Sequence, residues 1–167
     1  MADEVKDQEK EEKEKEKREP KDNLVETKHL VTINGRKINY TVTTGTIVLK
    51  EETEKDGKTE GHKPKAEIFF IAYTREGIKD QKKRPISFCF NGGPGSSSVW
   101  LHLGVLGPRR IVTDEEGNLL QPPYELIENE FSILDKTDLV FIDPVSTGYS
   151  RAVEGEKPRD FHGFKRD

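Results

Sequence analysis

The sequence predicts an α/β fold in which antiparallel strands lead into parallel ones. Three observations point that way. Residues 29–49 are rich in Val, Ile and Thr and are interrupted by Asn34-Gly35, a strong hairpin signal. The runs Ile86–Phe90 and Leu139–Ile142 are short, almost continuously apolar and end in polar turns, as strands buried on both faces do. Between them, Asn91–Ser98 (N-G-G-P-G-S-S-S) forms a glycine-rich bend ahead of a helical stretch.

The chain has 167 residues, the length of one ordinary domain. It is 31% hydrophobic and 36% charged, and its net charge of −4 carries no nucleic-acid footprint and no basic membrane patch. No run of about 18 apolar residues occurs, so no membrane-spanning helix is expected. The opening segment has no apolar core of a secretory signal, which favours a cytoplasmic protein by default, or an exported one if the true start lies elsewhere. Cys89 is the single cysteine, so no internal disulfide can form.

Residues 1–27 read as a charged tail, disordered or helical, and residues 28–167 as the folded domain. Glu9/Lys13, Glu11/Lys15 and Glu14/Arg18 are spaced for helix-face ion pairs, each contributing a few tenths of a kcal/mol, but no apolar stripe accompanies them. Order is expected to begin near His29. A polar insert, Lys50–Lys65, carries Asp56-Gly57 and Gly61 as turn residues, and Glu67–Thr74 (E-I-F-F-I-A-Y-T) is a strand. Ser96–Leu106 can make one or two helical turns, stopped by Gly107-Pro108. Asp114–Gly117 and Gln121-Pro122-Pro123 are turns.

The glycine bend is the most informative stretch. Glycines permit close approach of the backbone to a ligand, Pro94 stiffens the bend, and Ser96, Ser97 or Ser98 can cap the helix that follows. Backbone N–H donors exposed in this way suit an anion, fixed or transient. A phosphate-binding loop would need a lysine after the glycines, and none is there. A nucleophile elbow would need G-x-S-x-G, and no serine in the chain stands in that pentapeptide. Two readings stay open on physical grounds: a tight turn with a serine cap, and a loop supplying backbone donors to an oxyanion.

The bend resembles the N-G-G-P-G-C-S-S signature of the serine carboxypeptidase family. Val105–Pro108 (V-L-G-P) looks like that family's E-L-G-P. Asp138–Ser150 (D-L-V-F-I-D-P-V-S-T-G-Y-S) is similar to its N-x-L-F-L-D-x-P-x-G-x-G-[FY]-S. The resemblance covers roughly residues 29–167, specifically in the second half and only architecturally in the first. It implies a partial α/β-hydrolase fold: antiparallel N-terminal strands, the first parallel strands, and no catalytic elbow strand. It implies hydrolysis at peptide C-termini, with Asn91 holding the substrate carboxylate, the Gly93 N–H donating to the oxyanion and Gly92 supporting the bend. Losing an oxyanion donor typically costs about 2.7–4 kcal/mol of transition-state stabilisation. No cofactor is implied, and the expected partner is a peptide substrate.

Departures from the family pattern are equally specific. Val105 stands where the family has a glutamate that shares the substrate carboxylate. Ser96 replaces a disulfide-forming cysteine, and Ser146 replaces the first glycine of the later turn, a modest change if its φ is negative. The family's G-E-S-Y-G elbow follows the later turn and does not occur here, so the chain reads as the N-terminal piece of such an enzyme, inactive alone. An iminopeptidase-like hydrolase is the first alternative, although that group has histidine where Asn91 stands. A non-catalytic interaction module with residues 1–22 as its working end is the second.

The remaining candidates divide between site and scaffold. His29, His62, His102 and His162 share no metal-ligand spacing, so no metal is expected, and His102 reads as a core or wall residue. Asp143, at the end of a strand, is expected to hydrogen-bond backbone rather than act as a general acid. Trp100 and Tyr149 either line a substrate pocket or sit in the core. Cys89 is expected to be a buried, inert thiol.

Overall fold

The computed structural model describes residues 20–55, 58–92 and 95–163. Its main sheet is mixed, and helices are few and short. Strands β1 (Asn23–Ile33), β2 (Arg36–Lys55) and β3 (Lys58–Arg75) form an antiparallel meander. Strands β4 (Ile86–Cys89) and β7 (Asp138–Ile142) complete it in the spatial order β1-β2-β3-β7-β4. β7 runs antiparallel to β3 and parallel to β4. A two-residue strand, β8 (Arg151–Ala152), pairs with β3 at Ala66–Glu67. A separate ribbon joins β5 (Arg109–Ile111) to β6 (Leu126–Glu128).

Asn34 and Gly35 both take positive φ, 49° and 72°, between the paired ends Ile33 and Arg36. That is the backbone a type I′ hairpin turn demands, and its twist matches the flanking strands. Order starts earlier than the sequence suggests. Asn23–Thr27 already pair with Val42–Thr46, so five residues assigned to the charged tail belong to β1. Leu24 and Val25 supply the strand propensity there, and the long β2 offers the pairing partner. Most of the tail, residues 1–19, lies outside the described residues. The polar insert 50–65 is likewise mostly strand: Lys50 pairs with Pro64 and Thr53 with Gly61. Cross-strand hydrogen bonds carry the hairpin through polar sequence, which hydrophobic patterning could not reveal. Positions 56 and 57 lie outside the described residues.

The core follows the two-residue period of the strands. Val31 faces Ile38 across β1 and β2, Val42 faces Tyr73 across β2 and β3, and Tyr73 and Ile71 face Leu139 and Phe141 across β3 and β7. Cys89 of β4 lies opposite Phe141 and completes the strip. Leu101, Leu106 and Leu134 pack on it from the connection between β4 and β7. That connection contains helix α1 (Val99–Leu101), which continues as a π-helical turn over His102–Leu106. The last carbonyls of such a helix have no partner within it. Here Asn129 Nδ2 donates to the carbonyls of Val105 (2.9 Å) and Gly107 (2.8 Å), and Ser132 Oγ donates to that of Leu106 (2.7 Å).

β4 departs from the expectation of a strand buried on both faces. It is the edge of the sheet, and Ile86 and Phe88 are 55% and 56% exposed. Among the described residues only β7 flanks it, so an apolar run that reads as doubly buried is covered on the Cys89 side alone. No helix among the described residues is long and apolar enough to cross a membrane.

Candidate active-site turn

The parallel pair β4 and β7 delivers two turns to the same end of the sheet. Asn91 and Gly92 follow β4, and Pro144–Ser150 follow β7. Ligands in open α/β sheets bind outside the carboxyl ends of the strands. An open groove of about 950 Å³ lies there, lined by Phe90 and Asn91 after β4 and by Ile142, Asp143 and Val145 around the end of β7. Its far wall comes from Leu49, Lys65 and Ile68 of the long hairpin and from Phe161. Glu156 clamps that wall, accepting from Lys63 Nζ at 2.7 Å and Lys65 Nζ at 3.1 Å. Hydrogen bonds from Lys63 and then Lys65 hold the Glu156 carboxyl below its usual range.

Asp143 joins the two turns. Its Oδ1 accepts from the N–H and the hydroxyl of Ser98, both at 2.9 Å, and its Oδ2 accepts from the Tyr149 N–H at 3.2 Å. Its carbonyl accepts from Ser150 Oγ at 2.6 Å, and that hydroxyl in turn accepts from the Phe69 N–H at 2.8 Å. The carboxylate therefore bonds backbone, as the sequence suggests. The serines differ from expectation. Ser98 occupies the N-cap position but makes no side-chain cap to α1, because its hydroxyl is committed to Asp143. Asn91 fills part of that role from outside the helix, with Oδ1 accepting from the Leu101 N–H at 3.2 Å.

Of the residues singled out in the sequence, the structure brings Asn91 to the groove and leaves others apart. Gly92 is exposed, and a Cβ built on it meets nothing within 4 Å. Gly93 and Pro94 lie outside the described residues. Trp100 is 65% exposed and Tyr149 75% exposed. They are neither core residues nor part of the groove lining, because the α1 and β7 turns point them outward. The Tyr149 ring rests 5.1 Å from that of Phe69. Val105 is exposed and also outside the groove. Ser146 has φ +74°, contrary to the negative value under which a serine there is harmless. Left-handed backbone at a non-glycine residue costs of order 1 kcal/mol or more. Ser146→Gly is therefore expected to stabilise the chain by about 1 kcal/mol in urea unfolding.

Behind the turn, His102 and Tyr73 are buried together, with Tyr73 Oη against His102 Nε2 at 2.5 Å and the Phe141 ring 4.7 Å from the imidazole. Burial lowers the His102 pKa to about 4, partly offset by the Asp143 charge. The imidazole is thus a neutral core group, consistent with its reading as scaffold. Above pH 6.5 neither folded nor unfolded chain protonates it. Between 6.5 and about 4 only the unfolded chain takes up the proton, so stability falls as pH falls, and the loss levels off below about 4. Between pH 7 and pH 5 this group is expected to remove about 2 kcal/mol. Urea unfolding of the chain and of His102→Gln at both pH values checks it, the variant showing the shallower dependence.

Sequence reasoning missed the Ser98–Asp143 bonds, the Asn129 and Ser132 caps and the Lys63–Glu156–Lys65 clamp. Asn129-x-x-Ser132 just before β7 was a legible signal of the caps. The other contacts join residues 45 to 93 positions apart, which no local pattern announces.

The frame of the site is a mixed sheet, mostly strands with few helices, whose parallel pair ends in Asn91-Gly92 and in a buried carboxylate, both beside the groove. The serine carboxypeptidase family model matches residues 50–162, more than half of the chain. The chain belongs to the serine carboxypeptidase family. It is 38% identical over 85 residues to the pheromone-processing carboxypeptidase KEX1 of Saccharomyces cerevisiae, covering 50% of this chain and 10% of that protein. It is 34% identical over 84 residues to serine carboxypeptidase-like 38 of Arabidopsis thaliana, covering 49% of this chain and 16% of that one. The crystal structure of KEX1(delta)p, a prohormone-processing carboxypeptidase from Saccharomyces cerevisiae, aligns with a TM-score of 0.48 and 32% identity. That alignment covers 65% of this chain and 20% of the other. The chain thus spans 10% to 16% of the length of these curated relatives.

Proposed function

We propose that this chain forms the substrate-carboxylate and oxyanion side of a serine carboxypeptidase site on a partial α/β-hydrolase fold. The observation that carries the reading is Asn91. It heads the family's glycine turn, its Oδ1 is fixed on the Leu101 N–H, and it lines the groove at the carboxyl ends of β4 and β7. With Oδ1 occupied, Nδ2 is the atom left to donate, and a peptide's terminal carboxylate is a fitting acceptor. Backbone N–H groups of Gly92 and Gly93 would meet the oxyanion beside it. Val105 offers no second hydrogen bond to that carboxylate, so recognition within this chain rests on Asn91 and the turn backbone.

Nucleophile, base and orienting acid are not assigned to any residue of these 167. The purified chain is expected to show no ester or peptide hydrolysis and no labelling by a serine-directed phosphonate; titratable turnover would overturn that expectation. The binding half is tested by NMR on the ¹⁵N-labelled chain, comparing an N-acetyl dipeptide with its C-terminal amide. The acid should shift the Asn91 side-chain amide and the Gly92 N–H, and the amide should not. Equal shifts from both probes, or none from the acid, would reject Asn91 as the carboxylate donor.

A further inference from the structure

We propose that Asp143 is a positioning residue that sets the orientation of the Asn91 carboxamide and the turn behind it; the ligand-binding consequence rests on the carboxylate reading above. The argument is a chain of constraints. Asp143 is 5% exposed and held at its own backbone, its N–H donating to the Phe69 carbonyl at 3.0 Å and its carbonyl accepting from Ser150. Its carboxylate therefore has a fixed origin on the sheet. From there Oδ1 takes both donors of Ser98, the residue that opens α1. The position of α1 fixes the Leu101 N–H, and that N–H fixes Asn91 Oδ1.

An asparagine side chain can present either its oxygen or its nitrogen outward. Because the oxygen is tied to α1, the nitrogen is the end left for the groove, and Asp143 is the group that fixes α1 to the sheet. The opposite turn closes on the same carboxylate. Gly148 has φ +45°, and a Cβ there would stand 1.7 Å from Asp143 Oδ2. The turn thus seats backbone directly against the carboxylate, whose other oxygen already holds Ser98. One buried group registers both turns of the site, and its own negative charge is met by three donors beneath the groove.

The test uses ¹⁵N-labelled wild-type chain, Asp143→Ala, Asp143→Asn and Ser98→Ala, without ligand and then with the N-acetyl dipeptide acid. In ligand-free Asp143→Ala, the Asn91 side-chain amide and the Gly92 N–H should move toward averaged, unrestrained shifts, alongside the directly bonded Ser98 and Tyr149 amides. Affinity for the acid should fall about tenfold or more. Asp143→Asn keeps an acceptor for Ser98 but cannot accept at both positions, so it should retain the fold and recover part of the affinity. Ser98→Ala, which removes only the hydroxyl, should move the Asn91 amide least. A variant in which Ser98 and Tyr149 shift but Asn91 and Gly92 stay at their wild-type positions would overturn the proposal. Wild-type affinity in Asp143→Ala would overturn it too, while leaving the carboxylate reading of Asn91 intact. If the wild-type chain shows no acid-dependent shift, that carboxylate reading falls, and the ligand-free spectra still decide the role of Asp143. Should Asp143→Ala fail to fold, the same comparisons are read from Asp143→Asn.

Discussion

Arg84→Ala is expected to lower the unfolding free energy by about 3–5 kcal/mol, because it removes one partner of a buried ion pair. Arg84 Nε donates to Asp138 Oδ1 at 2.6 Å, and the two side chains are only 6% and 12% exposed. The guanidinium also donates to the Leu134 carbonyl at 2.6 Å. Asp138 further accepts from the Arg75 N–H at 3.0 Å and from Gln81 Nε2 at 2.7 Å. This cluster joins the end of β3, the start of β7 and the approach to β4, where the Asp138 N–H also reaches the Pro85 carbonyl at 2.9 Å. Without Arg84 a carboxylate stays buried with neutral donors only, and the Leu134 carbonyl loses its partner. A loss of this size is a large part of the roughly 5–15 kcal/mol that holds a typical domain together. Urea unfolding measures it. Adding Asp138→Asn to Arg84→Ala should recover part of the loss, since it removes the uncompensated charge and keeps an acceptor for Arg75. If the single variant costs less than about 1 kcal/mol, the pair is worth no more than an exposed surface pair.

Gly148→Ala is expected to destabilise by about 3 kcal/mol through two additive causes, a left-handed backbone angle and a clash. The angle is +45°, and the new Cβ would meet Asp143 Oδ2 at 1.7 Å and its Cγ at 2.5 Å. The neighbour is the anchored end of a short side chain, so it cannot swing aside without releasing Ser98 or Tyr149. Thermal unfolding should show the loss, and the Ser98 amide should shift although it lies fifty positions away in sequence. Gly92→Ala is the contrast. Its surroundings are open, so its stability should change by less than about 0.5 kcal/mol. Equal costs at the two glycines would mean that the carboxylate contact does not constrain the later turn.

The hairpin, the strand character of β3, β4 and β7 and the helical stretch after the glycine bend were legible because each has a local signature. Asn34-Gly35 needs only its two neighbours to declare a turn, and the almost continuous apolar run Leu139–Ile142 declares a strand. The strand over 50–65 was not legible, because backbone pairing rather than side-chain burial holds it together. The exposure of β4 was not legible either: a run of five apolar-leaning residues reads alike at a sheet centre and at an edge. At the site, Asn91 and the glycine turn stood out by motif, and Asp143 by its place at the end of a strand. Trp100 and Tyr149 were open between pocket and core, and they face solvent.

By itself the sequence determined the Asn34-Gly35 hairpin, the strand character of β3, β4 and β7, the place of the glycine turn, and the family to which those motifs belong. These are properties of residues close together in the chain, where propensity, period and turn chemistry act. Tertiary structure alone decided that β4 is an edge among the described strands, that Ser98 serves a carboxylate instead of its own helix, and that Asn91 Oδ1 accepts from the Leu101 N–H. Each depends on groups brought together across long stretches of chain. Hydrogen-bond acceptors are satisfied by whatever donor the fold places within about 3 Å, not by the nearest donor in sequence.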